Sequence, residues 1–277
     1  MDGKVSPADF SGLSETLLIP LWAKAVEYRR ADALLRDEEA ARMLDLIDYD
    51  FSRFESAKMS QIGCCGRAAV IDGEVRRFLA IHHDAVVVQL GAGLDARFER
   101  VGRPPVAAWY DLDLPEVMAV RRRLLPESGN RYLEGSLFDE EWAREAAAHG
   151  KPVLVVVEGV LMYFGEPQVR AFFEMLWRVL PQAVLVADLM SGFGVKKAAK
   201  HDALRNLDEA SRPEFKWGVP DPEDAAKLLP GLETAAVHNL YAACGHRYPL
   251  WLRLLYKTAW GRRNLDMKIV RLEKQAV

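Results

Sequence analysis

From residue 85 onward, short apolar runs alternate with amphipathic stretches, and this alternation predicts an α/β fold with a mostly parallel sheet. The two most apolar runs, Val153–Val157 and Ala183–Ala187, should form central strands buried on both faces. Pro115 and Pro167 each follow an apparent strand exit, where a first helical turn is expected. The predicted strands are Ala85–Leu90, Val106–Tyr110, Arg131–Glu134, Val153–Val157, Ala183–Ala187, Glu233–Val237 and Lys268–Leu272.

The first 84 residues have a helical pattern, which predicts helices over Leu21–Arg30, Ala40–Ile47 and Arg67–Leu79 with no strand between them. A polar stretch between residues 190 and 230 separates the fifth predicted strand from the last two. We expect this stretch to be helical and to cover the carboxyl edge of the sheet as a lid. The predicted division is a helical cap, residues 1–84, and an α/β domain, residues 85–277.

Composition and charge are those of an ordinary globular chain. The 277 residues are 50% hydrophobic and 28% charged, which excludes a disordered or collagen-like protein. With 37 Lys and Arg against 40 Asp and Glu, the formal charge of -3 gives no net bias toward nucleic acid or anionic lipid. No apolar run reaches the length of about 18 residues that spans a bilayer. We therefore expect neither nucleic acid nor a membrane as partner, and any partner must be recognised locally.

Export and metal signals are absent from the sequence pattern. The first four residues are not a cationic region that leads into an apolar stretch, so export is not expected. The cysteines, Cys64, Cys65 and Cys244, are odd in number, which favours reduced thiols. No cluster of Cys or His at ligand spacing accompanies them, and no metal site is expected. These features favour a cytoplasmic protein.

The sharpest motif is an apolar strand that runs into a glycine turn at residues 91–93. Gly91 permits a tight turn, Gly93 permits close approach of the backbone to a ligand, and Ala96 completes a G-x-G-x-x-G/A pattern. Asp111 and Asp113 follow Gly91 by 20 and 22 positions, at the end of the second strand. A carboxylate there can accept hydrogen bonds from ribose hydroxyls. The motif therefore predicts a ligand that contains a nucleoside.

Charges around this turn favour S-adenosylmethionine over NAD. A carboxylate at Asp95, within the turn, opposes a pyrophosphate but suits a ligand with sulfonium and ammonium charges, unless it pairs with Arg97 instead. Arg67 can supply a cation for the ligand's carboxylate. Glu158 ends the fourth strand, where it can accept from the ligand's ammonium or, alternatively, cap a helix.

Four segments occur in an order that makes the sequence recognisable: Arg67–Asp72, Leu90–Arg97, Asp111–Glu116 and Glu158–Tyr163. Together they resemble the leucine carboxyl methyltransferase family, which includes bacterial polyketide-type O-methyltransferases. The resemblance extends from about Leu17 to the C-terminus. It implies a class I, Rossmann-like fold that uses S-adenosylmethionine, with seven strands, the last antiparallel, and a helical N-terminal cap over the cofactor.

The resemblance also implies roles for individual residues. In the family's pattern Arg67 holds the methionine carboxylate, Gly91 and Gly93 approach the cofactor, Asp113 takes the ribose hydroxyls with Asp111 as the alternative, and Glu158 faces the methionine end.

The sequence departs from that pattern at two places. Ser136-Leu137 stands where the family usually has Asp-Leu, whose carboxylate addresses the adenine amino group, and a neutral serine is a weaker acceptor. Ala69 replaces the second Arg of an R-T-R-x-x-D motif. The first change puts the affinity for the cofactor in question, and the second puts the contacts around Asp72 in question.

We expect an S-adenosylmethionine-dependent O-methyltransferase that acts on a carboxylate or hydroxyl of a small molecule. Methyl transfer depends chiefly on alignment in a dry pocket, so no catalytic triad is required. Tyr163 and, in the predicted lid, His201 are the polar groups expected near the acceptor. A carboxylate is favoured slightly because no residue stands out as a general base.

Two alternatives remain open from the sequence. The glycine turn and its carboxylates alone would also permit a nicotinamide-dependent oxidoreductase. The changes at Ser136 and Ala69 would permit a cofactor-binding protein without turnover. The sequence does not predict the oligomeric state.

Overall fold

A seven-stranded β-sheet with the order β3-β2-β1-β4-β5-β7-β6 forms the frame of the protein. The computed structural model describes Val5 and residues 15–197, 202–207 and 212–274. Strands β1 to β5 are parallel, and β7 is antiparallel to both β5 and β6, which confirms the predicted fold class. The strands are β1 Val86–Leu90, β2 Ala108–Asp113, β3 Arg131–Glu134, β4 Val153–Val157, β5 Val184–Leu189, β6 Leu232–Asn239 and β7 Lys268–Lys274.

Helices precede the sheet and connect its strands. They are α1 Leu18–Tyr28, α2 Glu38–Leu46, α3 Lys58–Ile81, α4 Arg97–Arg100, α5 Pro115–Leu124, α6 Glu141–Ala148, α7 Glu166–Val179, α8 Gly192–Lys197, α9 Glu223–Ala226, α10 Leu240–Cys244, α11 Leu250–Tyr256 and α12 Ala259–Asn264. No helix within the described ranges is long and apolar enough to cross a membrane.

Helix α3 begins nine residues before its predicted start. Two glycines and two adjacent cysteines interrupt the hydrophobic pattern there, but tertiary packing holds the helix. A side chain on Gly66 would place its Cβ 2.7 Å from the Sγ of Cys244, so glycine lets α3 and α10 approach closely.

The two faces of the sheet are covered by different helices. In β4, Val153, Val155 and Val157 belong to a core cluster with the aromatic stripe of α7, whereas Leu154 and Val156 pack with α3 and α11. All five residues of β4 are buried, as predicted for a central strand. Helix α3 covers one face of the sheet, and α1 and α2 pack in a separate cluster that also takes in Leu94 of the turn after β1 and residues of α3 and α5.

The segment between β5 and β6 is less helical than predicted. It holds the short helices α8 and α9 and a single turn at Leu204–Asn206, whereas residues 212–219 are not helical. The prediction is wrong for these residues because their backbone bonds to loops of the sheet edge: Lys216 N donates to Met162 O at 2.7 Å and Val219 N donates to Met190 O at 2.9 Å. Pro213 and Pro220 also disfavour a helix.

Candidate functional site

A cavity of about 830 Å³ lies at the carboxyl edge of the sheet. It includes the point between β1 and β4 where the strand order reverses, which is where open α/β sheets bind ligands. Its volume is within the range of small-molecule sites, about 300–1,000 Å³. Strand ends supply much of the lining: Gly91 after β1, Asp113 in β2, Ser136 after β3, Glu158 after β4, Met190 after β5 and, because β7 is antiparallel, Met267 before it.

The glycine turn after β1 forms one wall of the cavity. Gly91 and Gly93 have φ angles of 66° and 52°, which side chains other than glycine disfavour. A Cβ on Gly91 would also overlap the side chain of Val160. The turn is tied to β2, because Gly93 N donates to Oδ2 of Asp113 at 2.7 Å. The chain therefore keeps glycine where the backbone itself lines the cavity.

The two aspartates of β2 have different surroundings. Asp113 lines the cavity and accepts from the backbone N–H groups of Gly93 and Leu114. Burial raises the pKa of the Asp113 carboxyl, and these two hydrogen bonds oppose that effect. Asp111 is fully buried and is not in the cavity lining; its carboxylate accepts from Arg121, Asn130 and Trp109. Protein donors surround the Asp111 carboxylate, so Asp113 is the better placed of the two to meet a ligand in the cavity.

Buried charges connect the N-terminal helices with the strand ends. We call them the ionic network; its members are Lys24, Asp37, Arg67, Asp72, Asp95, Arg97, Arg100, Glu158 and Asp188. Four cations face five carboxylates, so the network has an excess of one carboxylate. It runs beneath the cavity, which Lys24, Arg67, Asp95 and Glu158 also line.

Asp95 lies at the centre of this network. Its carboxylate contacts Lys24 at 2.5 Å, Arg100 at 2.7 Å and Arg97 at 3.4 Å. It also accepts from Gln89 Nε2 at 2.9 Å. Burial favours the neutral acid, but the three cations hold the pKa of Asp95 well below its usual range. Asp95 thus makes the pair with Arg97 that the sequence left open, and Lys24 and Arg100 neutralise its charge further.

Arg67 and Glu158 pair with each other at the cavity wall. Arg67 donates from Nε to Glu158 at 3.0 Å and from Nη1 to Asp188 at 3.1 Å, while its Nη2 makes no hydrogen bond with any residue in the described ranges. Glu158 also accepts from Arg97. Burial alone would raise the pKa of Glu158, but Arg97 and Arg67 lower it to about 2. The carboxylate of Glu158 therefore pairs with two arginines and does not cap a helix.

The loop after β3 holds the Ser136-Leu137 pair, and both residues line the cavity. The Oγ of Ser136 accepts from Phe138 N at 3.2 Å, and its N–H donates to Asp139 at 2.6 Å. The hydroxyl thus helps to shape its own loop. Its proton and its second lone pair stay available to a ligand.

The end of the cavity that lies away from the glycine turn is rich in aromatic side chains. Tyr163 packs edge to face on Phe215, with ring centroids 5.3 Å apart, and its hydroxyl is hydrogen bonded to Thr16. Burial raises the pKa of the Tyr163 phenol, so it stays protonated at neutral pH. Lys197 lies over the ring of Phe193 at 5.8 Å. His201, the other predicted polar group, lies outside the described residues.

Lys24 and Asp188 are among the residues of the site that the sequence analysis missed. Lys24 interrupts the otherwise apolar first turns of α1, and a buried lysine requires a partner. Asp188 follows an apolar run in β5, which is the same pattern that singled out Glu158. Its Oδ1 accepts from Gly159 N at 2.6 Å, so it fixes the loop after β4.

Replacing Glu158 with Gln should lower the free energy of unfolding by about 1.5–3 kcal/mol at neutral pH, because Arg67 and Arg97 each lose a hydrogen bond to a buried carboxylate. Glu174→Gln is the matched control: Glu174 is exposed on α7 and has no ion pair within the described ranges. The effect depends on pH. The native pKa of Glu158, about 2, lies below the unfolded value of about 4.3, so its stabilisation is present above that value and lost as the pH falls toward 2.

Urea unfolding of wild type and Glu158→Gln at neutral pH and at steps down to about pH 3 measures this dependence. The difference between the two free energies should shrink steadily as the pH falls below about 4.3, because the unfolded wild-type chain then binds a proton at Glu158 that the folded protein does not. A difference that stays constant across the series would contradict the assignment.

Comparisons with known proteins agree on one family. The sequence model of the leucine carboxyl methyltransferase family matches residues 18–177. Tetracenomycin polyketide synthesis O-methyltransferase TcmP of Streptomyces glaucescens is 35% identical over 223 residues, which are 80% of this chain and 81% of that protein. The S-adenosyl-L-methionine-dependent methyltransferase dpfgK of Gibberella zeae is 26% identical over 279 residues, 88% of each chain.

Among solved structures, a SAM-dependent methyltransferase of Anabaena variabilis shares the fold, with a TM-score of 0.51 and 10% identity over 76% of this chain and 84% of that one. The family match decides against a nicotinamide-dependent oxidoreductase. The chain belongs to the leucine carboxyl methyltransferase family and is an S-adenosylmethionine-dependent O-methyltransferase.

Proposed function

We propose that the protein methylates an oxygen of an apolar small molecule, and that this oxygen belongs to a carboxylate. The observation that carries the proposal is the division of one cavity into two ends. The glycine turn and Asp113 lie at the β1–β3 end, whereas Phe193, Lys197 and Tyr256 lie at the β5–β7 end. The relative from Streptomyces glaucescens is named for polyketide synthesis, which supports an acceptor of polyketide type.

The β1–β3 end fits the nucleoside of S-adenosylmethionine. Gly91 and Gly93 leave space against the backbone, and Asp113 retains lone pairs that can accept from both ribose hydroxyls. Ser136 offers a hydroxyl to the adenine amino group, and Leu137 offers an apolar surface to the ring. The serine keeps one hydrogen bond where the family usually has a charged acceptor.

The ionic network fits the amino-acid end of the cofactor. Arg67 turns an unpaired Nη2 toward the methionine carboxylate, and Glu158 beside it attracts the ammonium group. The excess of one carboxylate in the network complements a ligand whose sulfonium and ammonium charges outnumber its carboxylate. Asp95 acts indirectly, because it holds Lys24 and the turn in place.

Bound S-adenosylmethionine supplies an electrophilic methyl carbon, and the protein has to align an oxygen with it and exclude water. Phe164, Phe193 and Phe215 provide apolar walls for that purpose. A carboxylate acceptor is already ionised at neutral pH and needs no base. Tyr163, which stays protonated, can donate a hydrogen bond to the acceptor, and His201 remains a second candidate from the sequence.

Lys197 supports a negatively charged acceptor. Lys24 and Arg67, the other cations that line the described cavity, are engaged by carboxylates of the ionic network. Lys197 makes no ion pair with a residue in the described ranges, and its ammonium group lies at the aromatic end. An incoming carboxylate would therefore meet a free cation there.

We place the protein in the cytoplasm, as the sequence predicts. The three free thiols of Cys64, Cys65 and Cys244 fit the reducing cytoplasm. A partner other than the cofactor and the small-molecule acceptor is not needed for the reaction.

Asp113→Ala should weaken binding of S-adenosylhomocysteine about tenfold to a hundredfold, because it removes hydrogen bonds between the ribose and a charged group worth about 1.5–3 kcal/mol. Calorimetric titration measures the change. Asp48→Ala, at an exposed position, is the control and should bind like the wild type. An unchanged dissociation constant in folded Asp113→Ala would contradict the ribose assignment. Wild type that binds NAD but not S-adenosylhomocysteine would contradict the function itself.

Lys197→Met should raise the KM for a carboxylate acceptor about tenfold, which corresponds to a hydrogen bond of about 1.4 kcal/mol to a charged group. The measurement is methyl transfer to a panel of apolar acids and phenols. Lys196→Met is the matched control, since Lys196 is an exposed neighbour outside the cavity lining. Affinity for S-adenosylhomocysteine should stay unchanged in both variants. Equal effects of the two substitutions, or faster transfer to phenols than to acids, would refute the preference for a carboxylate.

A further inference from the structure

Helices α11 and α12 expose a cluster of large apolar side chains. Eight large hydrophobic residues in the described ranges are exposed, and half of them lie between residues 250 and 260. The exposed fractions are 67% for Leu250, 65% for Trp251, 53% for Leu254 and 50% for Trp260. We call these four residues the tryptophan face. Helices α11 and α12 pack on each other, and a group of exposed apolar side chains on two adjacent helices is typical of an interaction site.

Packing on the sheet fixes the orientation of this face. Leu252 and Tyr256 of α11 are buried in the core cluster that contains β4, and Tyr256 donates from its hydroxyl to Leu265 O at 3.0 Å. Leu255 is half-buried against the same cluster, and Leu250, Trp251, Arg253 and Leu254 are exposed. Trp251 and Leu254 are exposed because Leu252 and Tyr256 occupy the side of the helix that faces the core.

Cations alternate in sequence with the residues of the tryptophan face on α11 and α12. Residues 240–265 contain five Arg and Lys and no Asp or Glu, although the whole chain has a formal charge of -3. Arg253, Lys257, Arg262 and Arg263 are exposed, and none forms an ion pair with another residue in the described ranges. The face is thus locally strongly basic, and its partner should be anionic.

We propose that the tryptophan face docks on an anionic lipid surface. Tryptophan suits the boundary between headgroups and acyl chains, because it joins a large apolar ring to a polar N–H group. The four exposed cations would lie against lipid phosphates. A second copy of the chain is a poor partner, since a two-fold contact would set these cations against their own copies.

The position of the cavity favours lipid over an acidic protein. Trp260 packs edge to face on Phe193, with ring centroids 5.4 Å apart, and Phe193 lines the aromatic end of the cavity. An apolar acceptor dissolved in lipid would therefore reach the cavity without crossing water. This step alone rests on the proposed function, whereas docking itself does not.

The sequence predicted no membrane partner, on the grounds of net charge and of the missing bilayer-spanning run. Neither ground bears on an interfacial surface, which needs only an apolar face and local positive charge. Local charge between residues 240 and 265 is opposite in sign to the total.

Vesicle sedimentation, in the absence of any acceptor, tests the docking. Wild type should bind vesicles of mixed phosphatidylcholine and phosphatidylglycerol at least about tenfold more strongly than phosphatidylcholine alone, and added salt should weaken binding. Trp251→Ser and Trp260→Ser should each reduce the bound fraction severalfold. Ile81→Ser is the matched control, because Ile81 is also 65% exposed but lies at the end of α3.

Affinity for S-adenosylhomocysteine shows that the variants are folded, since neither tryptophan lines the cavity. Wild type that fails to bind anionic vesicles at low salt overturns the proposal, whether or not it binds S-adenosylhomocysteine. The same holds if Ile81→Ser loses as much binding as Trp260→Ser. A dimer in sedimentation velocity that Trp260→Ser dissociates, without lipid binding, would instead assign the face to a second copy.

Discussion

Buried charges at the carboxyl edge of the sheet must balance one another, and this requirement shapes the whole site. Arg97 has no exposed surface and lies between Asp72 of α3 and Glu158 after β4. Lys24 brings α1 into the same network, and Asp37 at the start of α2 joins it through Arg100. Removal of one member takes a charged partner from buried groups of opposite sign, and each hydrogen bond lost in this way costs about 1.5–3 kcal/mol. The N-terminal helices are therefore held over the cavity by the groups that form its floor.

The topology of the sheet separates the two ends of the cavity. Because β7 is antiparallel, Met267 at its start meets the carboxyl ends of the parallel strands at one edge. The glycine turn and Asp113 lie on one side of the β1–β4 switch point, and Phe193 and Lys197 lie on the other. In the proposed function, polar recognition of the cofactor and apolar recognition of the acceptor therefore use the ends of different strands. The loop after β4, held by Asp188, lies between them.

Local patterns in the sequence were sufficient for much of the fold. All seven strands were predicted with ends within three residues of those observed, because buried strands are apolar runs bounded by turns. The glycine turn was recognisable for a similar reason, since its positive φ angles require glycine at fixed spacing. The resemblance to the family, carried by four short segments, agrees with the match over residues 18–177.

Contacts between distant residues could not be predicted in this way. Asp95 is neutralised partly by Lys24, which lies 71 positions away, and no periodicity links the two. Asp111 and Asp113 look equivalent on their strand. The carboxylate of Asp111, however, accepts a hydrogen bond from Asn130, which lies 19 residues further along the chain. The segment after β5 has a polar, helix-like composition, but hydrogen bonds to Met162 and Met190 hold part of it in a non-helical form. Tertiary partners decide each of these cases.

The central claim is that one cavity holds the cofactor at its β1–β3 end and the acceptor at its β5–β7 end. A crystal structure with bound S-adenosylhomocysteine tests it most directly. The ribose hydroxyls should lie within hydrogen-bond distance of Asp113, and the amino-acid carboxylate should contact Arg67. The ion pairs of Arg67 with Glu158 and with Asp188 should stay intact. Electron density for the adenosine beside Phe193 and Lys197, or an amino-acid end remote from Arg67, would contradict it.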